Sequence, residues 1–243
     1  MLFSQDNSAA FQNCIMVKGA IIRMDTTKRE IHLVFTAHDF AEGGEIVRAA
    51  LKKHHAHASF FFTGDFYRNP RFKTFIEELK QDRHYLGGHS DKHLLYAPWD
   101  KQDSLLITKK EFMNDIAANY AAMKSFGITK NDAPYFLPPY EWYNDSIAAW
   151  SKEFGLTLID FTPGTYSNAD YTTPDMGTRY LGSDTIFNRI LAYERRDPHG
   201  LNGFILLTHI GTDAARTDKF YNKFDALLTE LEKRGYTFTL LGK

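Results

Sequence analysis

The sequence contains a single cysteine, Cys14, among its 243 residues. One thiol excludes an internal disulfide and a cysteine-rich metal site, so histidine and carboxylate side chains remain as ligands for a metal ion. Long apolar runs are also lacking, since none reaches the ~18 to 20 residues needed to cross a bilayer. Residues 1–6 show no basic region followed by an apolar one, so we expect neither a signal peptide nor a membrane span in this chain.

The charges of the chain nearly balance, with 29 basic and 30 acidic residues and no long block of either sign. A protein that binds nucleic acid or an anionic membrane usually carries such a block, so we expect a neutral or small partner. The hydrophobic content of 43% allows a substantial core and favours one large α/β domain. We place this domain at residues 21–243, after a weakly periodic lead-in over residues 1–20, and the sequence leaves the oligomeric state open.

Apolar strand patterns alternate with helical patterns along the chain. Strand patterns occupy residues 31–36, 58–63, 135–137, 156–160, 203–208 and 237–241. Helical patterns occupy about residues 44–54, 70–81, 109–126, 146–154, 183–195 and 219–234. Six or seven such units without an internal repeat predict a parallel sheet, either open or closed into a barrel. A loop over about residues 162–178 is rich in Ser, Thr, Asn and Asp, and its length indicates a functional role.

Polar side chains follow four of the predicted strands at the point where each strand ends. They occur in segments 36–39, 89–93, 139–141 and 208–209. Active residues of parallel barrels gather at the carboxyl ends of the strands, so we expect these four segments to lie close together.

Two histidines, His89 and His93, are spaced four apart after Gly87 and Gly88. On a helical turn, both rings would project from one face and hold one ion, and the glycines would permit a close approach. The spacing alone is a weak signal, because the chain has ten histidines and such a pair is common by chance. A metal ion at this pair would need a third ligand.

Asp39 is the candidate for that third ligand. It follows a strongly apolar strand, where a buried carboxylate is costly unless it meets a cation. A helix N-cap or a turn residue is the alternative interpretation of the same aspartate.

At this point five ordered motifs resemble those of the polysaccharide deacetylase family, also called carbohydrate esterase family four. The family pattern runs Thr-Phe-Asp-Asp, Ala-Thr-Phe-Phe, His-Ser/Thr-x-x-His, Arg-x-Pro-Tyr and Leu-x-His. The corresponding segments of this chain are residues 36–39, 58–61, 89–93, 137–140 and 207–209. The resemblance covers roughly residues 31–241 and implies a distorted (β/α) barrel with about seven parallel strands, in which residues 21–243 form a single catalytic domain.

The resemblance implies one divalent metal ion, held by Asp39, His89 and His93. The ion is usually zinc in this family, with cobalt, nickel and manganese as alternatives. His209 would be the general acid, since a histidine with a pKa near neutrality can protonate a leaving group. The aspartate that orients this histidine would be Asp170.

The resemblance also assigns further residues around the reacting group. Asp160 is the alternative to Asp170 for orienting the general acid. Leu207 would line the pocket for the acetyl methyl group, and the backbone at Tyr140 would bind the developing oxyanion.

Two of the departures from the family pattern replace a charged side chain. The first aspartate of the first motif, the general base of the family, is replaced by His38, and the arginine that pairs with that base is replaced by Leu137. An arginine would oppose protonation of a histidine, so the joint loss of both residues is physically consistent with a rebuilt base. His38 is therefore a candidate for the general base. Alternatively, His38 is a fourth metal ligand, Glu141 is the base, or the site lacks normal catalysis.

The resemblance implies an acetylated carbohydrate as the substrate. We assign Glu141 and Trp142 to substrate binding together with Tyr140, because aromatic faces pack well on sugar rings. Further aromatic residues flank the motifs and either stack on sugars or pack at the rim: Tyr96, Trp99 and Tyr143. Most relatives act outside the cytoplasm, which implies a secreted or periplasmic protein, with a cytoplasmic one as the alternative.

The sequence thus favours a metal-dependent hydrolase that removes O- or N-acetyl groups from a carbohydrate. One alternative is a glycan-binding module that kept the fold without catalysis. The other is an amidase that acts on a small C–N bond outside carbohydrates.

Overall fold

A computed structural model describes Phe11 and residues 13–242. The lead-in expected over residues 1–20 falls in part on residues 1–10 and 12, which lie outside the described residues. The boundary of the domain at residue 21 stays a prediction. Within the described residues, no helix combines the length and the apolar composition that crossing a membrane requires.

The described residues form one sheet of nine strands. Its strands are β1 (Ile15–Val17), β2 (Ala20–Arg23), β3 (Glu30–Ala37), β4 (Ser59–Phe62), β5 (Tyr85–Gly88), β6 (Tyr135–Phe136), β7 (Thr157–Leu158), β8 (Phe204–His209) and β9 (Thr237–Phe238). The helices between them are α1 (Gly44–Lys53), α2 (Gly64–Arg68), α3 (Lys73–Gln81), α4 (Lys109–Lys124), α5 (Asp145–Phe154), α6 (Ser183–Arg196) and α7 (Phe224–Lys233).

The sheet is built mainly from parallel strands. Strands β8, β3, β4, β5, β6 and β7 follow one another in parallel, and β9 lies parallel to β3. An antiparallel hairpin of β1 and β2 adds to the edge at β8, and Ile21 forms a bridge to Ile159 beyond β7. This bridge curls the two ends of the sheet toward each other. The structure therefore confirms the predicted distorted (β/α) barrel and its seven parallel strands.

Side chains of the central strands alternate between two apolar layers. Phe35 and Phe60 face the helices and stack with their ring centroids 5.0 Å apart. Val34, Phe61 and Leu207 face the interior of the curled sheet instead. Because both faces of these strands are buried, their sequences are almost continuously apolar, as expected for parallel strands. Each such side chain contributes roughly 1.5–3 kcal/mol through burial.

Helix α4 is the element that supports the histidine segment. It begins with a capping box in which the Thr108 side chain accepts from the Glu111 backbone N–H and the Glu111 carboxylate accepts from the Thr108 backbone N–H. Such a cap stabilises a helix start by about 1 kcal/mol. The helix brings two buried polar residues, Asp115 and Asn119, to the carboxyl end of β5.

Two elements differ from the sequence-based expectations. The hairpin of β1 and β2 lies where weak periodicity indicated little structure, because its three-residue first strand is too short for a pattern to show. The second is helix α2, for which we predicted no helical pattern. It has five residues, and the Thr63 hydroxyl caps it by accepting from the Phe66 backbone N–H.

Two buried histidines make the stability of the fold depend on pH. Burial lowers the pKa of His32 to about 4 and that of His84 to about 4. Between about pH 6.5 and pH 4, the unfolded chain binds a proton at each histidine that the folded chain does not bind. The contribution of each residue to stability is therefore lost as the pH falls through this range.

We predict that acidification lowers the free energy of unfolding of the wild type more than it lowers that of His84→Gln. The difference is expected to reach up to about 1.4 kcal/mol per pH unit between about pH 6.5 and pH 4. Urea denaturation of both proteins at several pH values measures it. The exposed His199 provides the control, since His199→Gln keeps the wild-type dependence; an identical dependence in His84→Gln would contradict the prediction.

Candidate active site

The four polar segments predicted at strand ends meet around one cavity of about 550 Å³. Its lining includes Thr36, Ala37, His38, Asp39, Phe40, His89, His93, Trp99, Tyr140, Glu141, Asn168, Tyr171, Arg179, His209 and Gly211. The expectation that these segments lie close together is confirmed. The parallel sheet provides the reason, because the carboxyl ends of its strands share one edge.

His89 and His93 meet at the wall of this cavity, where their Nε2 atoms lie 3.2 Å apart. The predicted helical turn is wrong, since residues 89–93 form a bend in which Ser90 and His93 have φ angles of 70° and 56°. These left-handed conformations fold the segment back on itself. The two rings therefore converge through a tight loop instead of through helical periodicity.

The tautomer of His89 is fixed by its surroundings. Its Nδ1 lies 2.8 Å from the backbone carbonyl oxygen of Leu137, so Nδ1 carries the proton and donates it. Nε2 then presents a lone pair toward His93. Burial lowers the pKa of His89 to about 3 and that of His93 to about 2, so both imidazoles are neutral near pH 7.

The histidine loop is held by hydrogen bonds from α4 and α2. Asp115 accepts from the backbone N–H groups of Asp91 and Lys92, and Asn119 accepts from that of His89. Asp91 itself is buried and pairs with Arg68 at 2.6 Å and 3.0 Å. Asp91 is therefore a buried ion-pair partner that connects the loop to α2.

The imidazole pair fits a divalent ion. Two nitrogen ligands about 2.1 Å from a tetrahedral zinc ion lie about 3.4 Å apart, close to the spacing seen here. A hydrogen bond from His89 Nδ1 to a backbone carbonyl is also the usual support for a histidine ligand. The third ligand is not in place: among the described residues, no three His, Cys, Asp or Glu side chains converge.

Asp39 lies beside the pair without joining it. Two thirds of its side chain is exposed, at 67%, and its Oδ2 is 3.6 Å from the Nε2 of His38. An exposed carboxylate changes rotamer at little cost, so its assignment as a ligand stays a prediction.

His38 packs against His93 of the histidine pair. Its ring stacks on that of His93 with centroids 5.2 Å apart and an interplanar angle of 13°. Its Nδ1 lies 3.0 Å from the Thr63 hydroxyl, which already accepts from the Phe66 backbone N–H. That hydroxyl still has a second lone pair and its own proton, so it pairs with His38 Nδ1 in either tautomer of the ring. When Nδ1–H donates to the hydroxyl, Nε2 is left with the lone pair that a base requires.

His209 forms a buried pair with Asp170. Their Nδ1 and Oδ1 atoms are 2.6 Å apart, and Asp170 Oδ2 also accepts from the backbone N–H of His209. Burial lowers the pKa of His209, whereas the charge and hydrogen bond of Asp170 and the charge of Glu141 raise it. The raising effects are together larger, so the pKa lies above its ordinary value. Asp160, the alternative, does not contact the histidine in this way.

The loop that carries Asp170 is fastened by Arg216. This fully buried guanidinium donates to the backbone carbonyl oxygens of Thr172 at 2.7 Å and of Leu181 at 3.0 Å. The loop predicted over residues 162–178 forms two 3₁₀ turns, over Ser167–Tyr171 and Pro174–Arg179.

The segment after Pro139 carries two consecutive left-handed residues, Tyr140 with φ of 62° and Glu141 with φ of 53°. Left-handed residues other than glycine cost about 1–3 kcal/mol and cluster at functional sites. Tyr140 packs its ring 4.4 Å from that of His93. Burial raises the pKa of Glu141 to about 7.

Some predicted residues lie away from the cavity. Leu207 is fully buried in the interior layer and does not line it, and Trp142 lines an adjoining cavity. Tyr96 is buried and lines neither of these two cavities, Tyr143 is buried but lines the adjoining cavity, and Trp99 is 59% exposed at the rim. The sequence analysis missed Phe40, Asn168, Tyr171 and Arg179; the last three belong to or directly follow the polar loop, whose composition was the available signal.

The sequence profile of the polysaccharide deacetylase family matches residues 23–159, and the chain belongs to this family. One relative is the 30.6 kDa protein of the fumA 3' region of Geobacillus stearothermophilus. It is 25% identical over 226 residues, which span 92% of this chain and 73% of that protein.

Solved structures share the fold at low identity. PdaA of Bacillus subtilis, a family 4 carbohydrate esterase, has 20% identity and a TM-score of 0.69, with 92% of this chain and 83% of that chain covered. The Bc1960 peptidoglycan N-acetylglucosamine deacetylase has 18% identity and a TM-score of 0.70, with 90% and 89% covered. BA3943 of Bacillus anthracis, a pseudoenzyme of carbohydrate esterase family four, has 19% identity and a TM-score of 0.69, with 94% and 70% covered.

We predict that Asp170→Asn lowers the pKa of His209, because it removes the charged hydrogen-bond partner that raises this pKa. NMR titration of the histidine ring protons measures the change. The exposed Asp175 lies on the same loop, and Asp175→Asn serves as the control that leaves the pKa in place. An unshifted titration in Asp170→Asn would show that other charges keep the ring protonated.

Proposed function

We propose that this chain is a metal-dependent hydrolase that removes O- or N-acetyl groups from a carbohydrate. The proposal rests on the set of side chains that line one cavity. It joins two neutral imidazoles whose Nε2 atoms converge to 3.2 Å with a histidine whose pKa is raised by a buried aspartate. Metal-assisted hydrolysis requires both kinds of group within reach of one acyl bond.

His89, His93 and Asp39 would hold the ion, which we expect to be zinc, with cobalt, nickel and manganese as alternatives. When bound, such an ion polarises an acyl carbonyl and lowers the pKa of water. The buried hydrogen bond from His89 to the Leu137 carbonyl keeps Nε2 free for this purpose. The backbone at Tyr140 is assigned to the oxyanion, as the family resemblance implies.

His209 would act as the general acid. Its Nδ1 is held by Asp170, so the remaining nitrogen, Nε2, is the atom that would deliver a proton. Because its pKa is raised, the ring keeps its proton to higher pH than an ordinary imidazole does, which suits a group that protonates the departing sugar nitrogen or oxygen. The carboxylate of Asp170 stabilises this imidazolium form.

His38 would act as the general base in place of the aspartate of the family. It lines the cavity and stacks on His93, which keeps it next to the metal-binding pair. Glu141 interacts with the charges of His209 and Asp170, so it lies on the side of the general acid. That position favours Glu141 for substrate binding over the role of base.

An extended carbohydrate fits the site better than a small closed-pocket substrate. Trp99 and Tyr140 are 59% and 43% exposed at the rim, where they would stack on sugar rings. A second cavity shares Tyr140, Glu141 and Asn168 with the first, so the site continues along the surface. An amidase for a small substrate would instead need an enclosed pocket. We place the protein outside the cytoplasm, by family resemblance.

A glycan-binding module without turnover is the second candidate function. Two observations favour it: His38 replaces the aspartate of the first motif, and three ligands do not converge among the described residues. BA3943, which shares the fold, is a pseudoenzyme, and a mutant of it has restored enzymatic activity.

We predict that the purified protein contains one divalent ion and releases acetate from acetylated glycans. His93→Ala should lose the ion and lower acetate release by about 100-fold or more, since the metal contributes several kcal/mol to the transition state. Elemental analysis and an acetate assay measure the two effects separately. His199→Ala, at an exposed position, should keep both, and a wild type without metal would refute the proposal.

We predict that His38→Ala keeps the metal but lowers acetate release by about 100-fold, the usual contribution of a general base. Loss of metal in this variant would identify His38 as a ligand instead. If the wild type binds glycans without releasing acetate and His38→Asp gains turnover, the chain is a binding module that lost its base.

A further inference from the structure

A second cavity of about 390 Å³ adjoins the reaction cavity. The two cavities share three lining residues, Tyr140, Glu141 and Asn168. Trp142 and Asp160 also line the second cavity, which is bounded on another side by the hairpin of β1 and β2. Asp160 comes directly after the bridge between Ile21 and Ile159, and it is not needed to orient the general acid because Asp170 pairs with His209.

Asp160 is a buried carboxyl group with an unused oxygen. Its exposure is 8%, and its Oδ1 accepts from the adjacent Phe161 backbone N–H at 2.8 Å. Its Oδ2 has no hydrogen-bond partner within residues 13–242, and neither Asp160 nor Glu141 forms an ion pair there. Lys18 lines the same cavity, but its ammonium is held by Gln102 at 2.9 Å and Asp103 at 3.0 Å.

Asp160 and Glu141 therefore share the wall of this cavity without an ion-pair partner on that wall, although Glu141 also interacts with His209 of the first cavity. Burial raises the pKa of Asp160 well above its ordinary value, and the charge of Glu141 adds to this effect. Burying carboxylates is costly unless a cation is present, so a positively charged ligand would be bound with a favourable charge interaction.

The position of the cavity indicates which part of a substrate would reach it. Glu141 interacts with His209, the proposed proton donor to the departing sugar. The second cavity thus continues from the side of the site where that sugar lies. The unit next to the one being deacetylated would extend into it, beside the ring of Trp142.

We propose that this cavity is a subsite for the ammonium group of a free amino sugar, with Asp160 and Glu141 as its recognition groups. This inference rests on the proposed function, and it names the substrate class as an amino-sugar chain that is already partly deacetylated. A cationic sugar unit satisfies both carboxyl groups, whereas an N-acetylated unit offers a neutral amide in the same place.

Calorimetric binding of two oligosaccharides to the full, metal-loaded chain carrying His38→Ala, in which turnover is expected to be about 100-fold slower, tests the proposal. One is a fully N-acetylated glucosamine tetramer, and the other carries free amines on all but one unit. Charge-assisted hydrogen bonds give an expected preference of about tenfold for the cationic tetramer. Asp160→Asn and Glu141→Gln should each reduce the ratio toward one, and thermal melting checks that both variants are folded.

The control is Asp145→Asn, which removes the same charge from an exposed position at the start of α5 and should keep the tenfold preference. Equal binding of the two tetramers by the protein that carries His38→Ala alone overturns the proposal, as does a preference that survives when Asp160→Asn is added. A calcium titration separates the other source of positive charge: calcium bound at these carboxyl groups without a preference for the cationic tetramer would make the cavity a metal-ion site. Binding is measured without turnover, so absence of acetate release would count against the proposed function alone.

Discussion

The position of β3 at the centre of the parallel sheet is the constraint on which the site depends. Thr36, near its carboxyl end, pairs with Phe61 of β4 on one side and with His209 of β8 on the other. This register places the segment containing His38 and Asp39 between the histidine loop after β5 and the general-acid candidate. A shift of the register by one residue would turn these side chains to the opposite face.

The electrostatics of the cavity are divided between two sides. His89 and His93 are kept neutral by burial, as ligands of a cation must be. On the other side, Asp170 and Glu141 favour a positive charge on His209. The fold thus places imidazoles with lowered and raised pKa values in one cavity by giving each ring different neighbours. That difference suits a reaction in which one group binds an electrophile and another supplies a proton.

Residues that never touch the cavity hold this arrangement. Asn119 and Asp115 bind the backbone of the histidine loop, and Arg216 binds the backbone of the loop that carries Asp170. The helices and loops around the sheet therefore act as supports that fix ligand orientation. Such supports are required because both loops contain left-handed residues whose conformations are costly in isolation.

The sequence by itself determined the sheet class, most helices and the set of polar segments at the strand ends, because burial of both strand faces and helical periodicity are local patterns. It also indicated His89, His93, His209 and Asp170 through their motifs. Only the tertiary structure decided that residues 89–93 bend instead of forming a helical turn, that Leu207 stays in the interior layer, and that Asp160 shares a cavity with Glu141. These features depend on contacts between segments far apart in the chain, such as Ile21 with Ile159, and no local pattern encodes such contacts.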